Sequence, residues 1–530
     1  MKNKFLLLLL IVISSCSDQP DYDLIIKNGS IIDGSGQPRF STNIGIKDDT
    51  IHVLGALDFK TAKKYIDATN LIVAPGFIDV HTHAVRGIFD VPTADAFLYQ
   101  GVTTLTDGND GSSPFPIGEH YQKIEEIGIS PNWAVFVGQG TIREEVMGLE
   151  NRAPTSSELE EMKNLTKEAM KEGALGLSSG LFYVPGNFSS KEEIIALAQI
   201  VGERGGIYIS HMRDEADKIL DSVAETIEIG IAGGLPAHIT HHKVIGKENW
   251  GLSLQTLAMV DEANQKGHDV YLDQYPYTAS QTSITALIPQ WAQAGGRKAL
   301  LDRLNNEEVR QQIKEEVVRK ILYDRGGGHP KNVVISEAKW NTTLEGKNLA
   351  EITLAKGEEP TPENAAETVF EIIEGGYARA VFHAISDDDV KFIMQHPNAA
   401  IASDGPLMPF GESRPHPRSY GTFPRVLGKY VRESNVISLE EAIRKMTSLP
   451  AKIISLNKRG LIKEGYYADI TIFDPEKIAD KATFQDPHQY STGVEYVIVN
   501  GQIVVNKGEH NFSRPGRVLY GPGRKLINWN

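Results

Sequence analysis

The chain has a single cysteine in 530 residues, Cys16. That excludes an intrachain disulfide and a zinc site closed by several thiolates, so stability has to come from packing. Basic residues are also in deficit: 54 Lys and Arg against 69 Asp and Glu leave a formal net charge of −15. Neutralising a phosphate backbone needs a basic surface, so nucleic acid is excluded as a partner class. Long apolar runs are missing everywhere except at the start, which argues against a polytopic membrane protein. Hydrophobic residues at 41% and charged residues at 23% are ordinary for a cored globular chain.

The exception is Phe5 to Ile13, preceded by Lys2 and Lys4 and followed by Ser14-Ser15-Cys16. A basic start, an apolar core too short to span a bilayer and small residues at its end read as an export signal. Ile13-Ser14-Ser15-Cys16 resembles the bacterial lipobox, in which the mature chain begins at a lipid-carrying cysteine. The expectation is a signal peptide over 1–16, a tether to about Tyr22, and an exported lipoprotein at the periplasmic or cell surface. Its only membrane attachment is the lipid on Cys16. The alternative is an ordinary signal peptide with a chance cysteine.

From Asp23 the pattern alternates, in Leu24–Ile32 and Asn43–Leu54, and matching stretches return in Tyr467–Phe473 and Val494–Val505. Such hairpins cannot bury both faces alone. Pairing the two ends of the chain makes one small β domain, a β-sandwich of residues 17–74 and 454–530, with the centre looped out. Within 75–453, eight short apolar runs alternate with helical stretches: Phe77–His81, Val102–Asp107, Trp133–Val137, Ala174–Ser178, Gly206–His211, Ala237–His241, Asp269–Tyr275 and Ala399–Asp404. Eight βα units predict an α/β fold, a (β/α)8 TIM-like barrel. Thr155 and Glu158 cap the helix that runs on to Lys171. The spacing fails once, and 280–375 reads as an insertion between the last two strands, either a lid or a solvent-exposed excursion.

His81-Thr82-His83 ends the first apolar run, and residues two apart on a strand point to the same side, so both imidazoles can grip one ion. Further candidates recur at other strand ends: Asp110, His211, His241 and Asp404. In a closed barrel these ends surround one mouth. Imidazole and carboxylate are the set expected for zinc in a hydrolase, one or two ions. Asp404, in Ile401-Ala-Ser-Asp-Gly405, is placed to touch metal, take a proton from water and return it to a leaving amine.

These motifs resemble the amidohydrolase superfamily and, within it, the D-aminoacylase or N-acyl-D-amino-acid deacylase family. The resemblance is carried by Ala74-Pro-Gly-Phe-Ile-Asp-Val-His-Thr-His83, Gly173-Ala-Leu-Gly-Leu-Ser-Ser-Gly180, Ser210-His-Met-Arg-Asp-Glu215, Thr240-His-His-Lys243, Ala402-Ser-Asp-Gly405, Arg414-Pro-His-Pro-Arg418 and Gly421-Thr-Phe-Pro-Arg425. It implies one metal position at His81, His83 and Asp404, and a second at His211 and His241, with His242 as the neighbouring alternative. The family has Gly-Asn-Cys-Gly where this chain has Gly108-Asn-Asp-Gly111, so Asp110 stands in for a thiolate. The resemblance also implies that Arg418, Lys243 and either Tyr275 or Tyr277 meet the substrate carboxylate. Arg213 either binds substrate or braces its loop. The function implied is zinc-dependent hydrolysis of an N-acyl-D-amino acid to a carboxylate and a free D-amino acid. The alternatives are a dipeptidase or cyclic-amide hydrolase, or a non-catalytic lipid-anchored binding protein.

Overall fold

The computed structural model describes residues 20–525. The expected signal peptide and the lipobox cysteine Cys16 lie outside the described residues.

Eight strands follow one another in parallel: Phe77–Asp79, Val102–Asp107, Asn132–Val135 with Val137–Gly138, Gly176–Gly180, Ile207–His211, Ala237–Ile239, Val270–Gln274 and Ala399–Ile401. The third is broken only at Phe136, whose N–H still donates to Asp107 O. The last is linked to the first, because Asp404 N–H donates to His81 O at 2.8 Å and Gly405–Pro406 pairs in parallel with Thr82–His83. Nearly every residue of these strands is buried, as expected where helices cover a parallel sheet. Helix Ser156–Glu172 is one such cover. It begins with a reciprocal cap, Glu158 N–H on Thr155 Oγ1 at 3.3 Å and Thr155 N–H on the Glu158 carboxylate at 2.7 Å.

The chain ends meet in two sheets. One is N-terminal and joins Tyr22–Lys27, Asn43–Lys47, Thr50–Gly55 and Ala62–Asp67. The other is mixed: Ile72–Pro75 pairs with Ile470–Phe473, which pairs with Val494–Val499. Leu24, Ile44 and Ile51 share one core with Val73, Ile470 and Ile498, so the two sheets bury each other's apolar faces.

Between the seventh and eighth strands the chain leaves the frame and builds an antiparallel sheet of Ser280–Ser283, Arg379–Phe382 and Val333–Glu337, with Arg379–Phe382 in the middle. Helices Glu307–Tyr323 and Pro362–Gly375 pack on it through Ile313, Val317, Val369, Phe370 and Phe382. The expected boundary at 375 is therefore corrected: the excursion runs on to Phe382, because its central strand needs partners on both edges. Gly375-Gly376 does not end it. Those glycines make room for the Trp340 ring, which a Cβ at either would strike.

Candidate active site

Strand ends deliver the ligands. Thr82 Oγ1 donates to Thr106 O at 2.7 Å, tying the first strand end to the second and fixing His81 and His83 with ring centroids 5.5 Å apart. Asp110 enters from the turn after the second strand. Gly108 and Gly111 flank it at φ 78° and 74°. A Cβ at Gly108 would meet the Phe136 carbonyl, and one at Gly111 the Gly180 backbone, so the turn presses against its neighbours and demands glycine. Asp110, His241 and Asp404 themselves have φ of 56°, 36° and 51°. Three of the six candidate ligands thus sit in the left-handed region, where non-glycine backbone is strained and functional sites concentrate.

The six side chains converge. Asp110 lies 3.4 Å from His81 Nε2, 3.3 Å from His83 Nε2, 3.5 Å from His211 Nδ1 and 3.4 Å from His241 Nε2. Asp404 lies 3.1 Å from His83 Nε2 and 3.8 Å from His81 Nε2. His211 Nδ1 and His241 Nε2 are 2.7 Å apart. Two groups result, His81 with His83, Asp110 and Asp404, and Asp110 with His211 and His241. Asp110 belongs to both.

Both ring nitrogens of His81, His211 Nε2 and Asp110 Oδ1 are buried without a hydrogen-bond partner. Buried polar atoms left this way are costly unless something binds them. A convergent set of imidazole nitrogens and carboxylate oxygens fits a divalent cation, zinc included. The surrounding charges agree with that reading. Burial alone would raise the Asp404 carboxyl, but Arg418 and His81 outweigh it and hold it below the usual range. Burial would likewise lower His81, yet Asp110 and Asp404 raise it.

Five of the six side chains line a cavity of about 270 Å³, with His81 fully buried; the cavity wall also includes Lys243, Tyr275, Arg325, Arg86, Arg379 and Gln281. Lys243 Nζ donates to Glu215 at 2.5 Å and to His241 O at 2.8 Å. Two cations approach the Tyr275 ring, with Lys243 Nζ 5.7 Å and the Arg418 guanidinium 4.6 Å from its centre. Its hydroxyl, and Nε of Arg418, have no hydrogen-bond partner among the described residues. Arg418 is fully buried one layer behind the wall, 2.8 Å from Asp404.

Two expected positions are corrected, and the alternative ligand His242 is set aside. Tyr277 is not on the cavity wall; its ring packs under the Arg425 guanidinium at 4.6 Å and its hydroxyl donates to Pro417 O. Arg213 grips Glu225 at 2.8 and 3.0 Å and the carbonyls of Asn187 and Ser189, so it braces its loop outside the cavity. His242, the alternative ligand, turns away to Thr256 Oγ1 at 2.8 Å.

Five residues had no role in the sequence reading. Glu215 accepts from Lys243 and from Arg325 Nη2 at 3.0 Å, joining the ligand strands to the excursion. Asp273 takes His241 N–H at 2.8 Å and His238 Nε2 at 2.5 Å, orienting the sixth strand end. Arg86 and Arg379 are the others. Glu215 had a faint signal, four residues after His211; Arg325 and Arg379 had none, because the insertion's topology leaves no period.

The Amidohydrolase family model matches residues 64–505. A D-aminoacylase of Alcaligenes xylosoxydans xylosoxydans is 34% identical over 95% of this chain and 99% of its own. The crystal structure of an N-acyl-D-glutamate deacylase from Bordetella bronchiseptica, complexed with zinc and a phosphonate mimic of the tetrahedral intermediate, superposes with a TM-score of 0.80 at 33% identity. It covers 94% of this chain and 100% of that one. A D-aminoacylase structure described by its binuclear metal centre gives 0.81 at 32% identity, with the same coverage. Convergent ligands, full-length likeness and a matching family model lead to one conclusion: this chain belongs to the amidohydrolase family, alongside the D-aminoacylases.

Proposed function

We propose that the protein hydrolyses N-acyl-D-amino acids, releasing a carboxylate and a free D-amino acid. The observation that carries this reading is the pair of ligand groups sharing Asp110 on the cavity floor, with Asp404 beside them. His81, His83, Asp110 and Asp404 would hold one zinc ion, and Asp110, His211 and His241 a second. Zinc bound there supplies Lewis acidity, polarising a carbonyl and making water acidic near neutrality.

The chain's own groups do the rest. Asp404, ionised beside Arg418, accepts the proton of the attacking water as the C–O bond forms and hands it to the amide nitrogen as the C–N bond breaks. Lys243 Nζ and the Tyr275 hydroxyl are the wall donors that meet the substrate α-carboxylate, and Arg418, behind Tyr275 with its Nε unpartnered, backs them with positive charge. Asp273 keeps His241 oriented through its backbone N–H.

The same reading takes the eight parallel strands as a closed (β/α)8 barrel, the two end sheets as a separate small β domain, and 1–16 as a lipoprotein signal that anchors the exported chain through Cys16.

The test is a chiral screen on metal-analysed protein. N-acetyl-D-amino acids should be turned over at least about 100-fold faster than their L-forms. Asp110→Ala should lower bound zinc measured by mass spectrometry, because both groups lose a ligand. Zinc-loaded protein that hydrolyses dipeptides or hydantoins but no N-acyl-D-amino acid, or nothing at all, overturns the reading.

A further inference from the structure

Two guanidinium groups on the cavity wall lack a carboxylate. Arg86 ends the short 3-10 turn Ala84–Arg86, immediately after the ligand pair, and Arg379 opens the central strand of the excursion sheet. They reach the same cavity from elements almost three hundred residues apart in sequence, and Gln281 of the neighbouring strand lies between the main chamber and an outer one that both arginines also line. Neither makes an ion pair among the described residues. Arg379 is 7% exposed, and its only side-chain partner is the Tyr377 hydroxyl at 3.5 Å. Glu337 stands opposite Arg379 in the sheet register and lines the outer chamber with Asp90 and Glu412, while Asp107 and Glu144 line the inner one; none of the five forms an ion pair with either arginine.

Arg379 is a buried charge without a partner, which is expensive, and the solvent-exposed Arg86 adds a second like charge to the same wall. The α-carboxylate of a substrate does not explain the pair, because it is already assigned to Lys243 and Tyr275, with Arg418 behind them.

We propose that Arg86 and Arg379 are a second anion-binding subsite, and that the preferred substrate carries a second carboxylate besides its α-carboxylate. This deepens the hydrolase reading above and rests on it. Paired guanidinium groups present the planar forks that a carboxylate accepts in bidentate fashion. The second carboxylate belongs either to the amino-acid side chain, as in an N-acyl-D-glutamate, or to the far end of a dicarboxylic acyl group.

The experiment compares charged substrates with neutral isosteres: N-acetyl-D-glutamate against N-acetyl-D-glutamine, and N-succinyl-D-alanine against its terminal amide. One of the two acids should exceed its amide by about 10- to 100-fold in kcat/KM, and which acid does so says where the second carboxylate sits. Arg379→Gln and Arg86→Gln should each erase most of that preference while changing turnover of the amides less than about threefold; Arg379→Lys should restore part of it. Unchanged circular dichroism and melting temperature verify folding. A direct binding arm measures Kd for the dicarboxylates D-glutamate and succinate against D-glutamine and succinamate, in wild type and variants. Equal affinity for acid and amide in wild type, or equal loss of both in the variants, overturns the subsite. Absence of hydrolysis of every N-acyl-D-amino acid overturns the hydrolase reading alone, and the binding arm still decides the subsite.

Discussion

The floor of the cavity and its roof are built on different principles. The floor is made of strand ends, where backbone hydrogen bonds such as Asp404 N–H to His81 O fix each ligand before any side chain is considered. The roof is an excursion with its own core, reaching the site through single side chains: Arg325 onto Glu215 and Arg379 into the wall. A rigid frame under a separately packed cover lets chemistry and selectivity vary independently, since changes in the roof leave the ligand geometry alone.

That contrast can be broken at several points. The largest effect should come from the floor. Asp404→Asn removes the proton carrier and should lower kcat by about 10²- to 10⁴-fold with the melting temperature preserved. Wild-type turnover in this variant would remove Asp404 from the mechanism.

In the roof, Arg325→Met takes one of two cations from the buried Glu215 and should cost about 3 kcal/mol. Hydrogen exchange in Glu307–Tyr323 should quicken while the strands stay protected. Uniform exchange throughout would mean that floor and roof are one cooperative unit.

His120 sharpens the comparison from the frame side. It is buried and accepts a hydrogen bond from Trp133 Nε1 at 3.0 Å, and burial lowers its pKa to about 4. The unfolded chain protonates this imidazole near 6.5, so between that value and about 4 it binds more protons than the folded chain. Stability is complete above pH 6.5 and falls through that window, by on the order of 2 kcal/mol at the acid end. Thermal melts at pH 7 and pH 4 should show this fall in wild type and a smaller one in His120→Gln.

The smallest effect belongs to Thr155→Ala, which removes a helix cap remote from the cavity. It should lower stability by about 1 kcal/mol in denaturant titration, with activity unchanged.

The floor was largely legible in the sequence and the roof was not. Eight apolar runs, a His-x-His pair and acids or imidazoles at later run ends follow from the period of parallel strands, so the six ligand candidates could be read before any coordinates. The choice between Tyr275 and Tyr277 could not, since both follow the same strand and only packing sends one to the cavity and the other under Arg425. Arg213 looked like a substrate contact because it neighbours a ligand, yet Glu225, twelve residues away, holds it. The left-handed backbone at His241 and Asp404 has no compositional sign, because neither residue is the glycine that such a conformation usually advertises. Arg379 was invisible for a topological reason: its strand acquires meaning only when paired with Ser280–Ser283 and Val333–Glu337.

Asp110 has one more consequence. With a carboxylate on the cavity floor, no sulfur atom lines the cavity. Peroxide has no thiolate there to convert to sulfenic or sulfinic acid, and thiol–disulfide exchange has no point of attack. The carboxylate at this position leaves the cavity lining without a thiol for such chemistry.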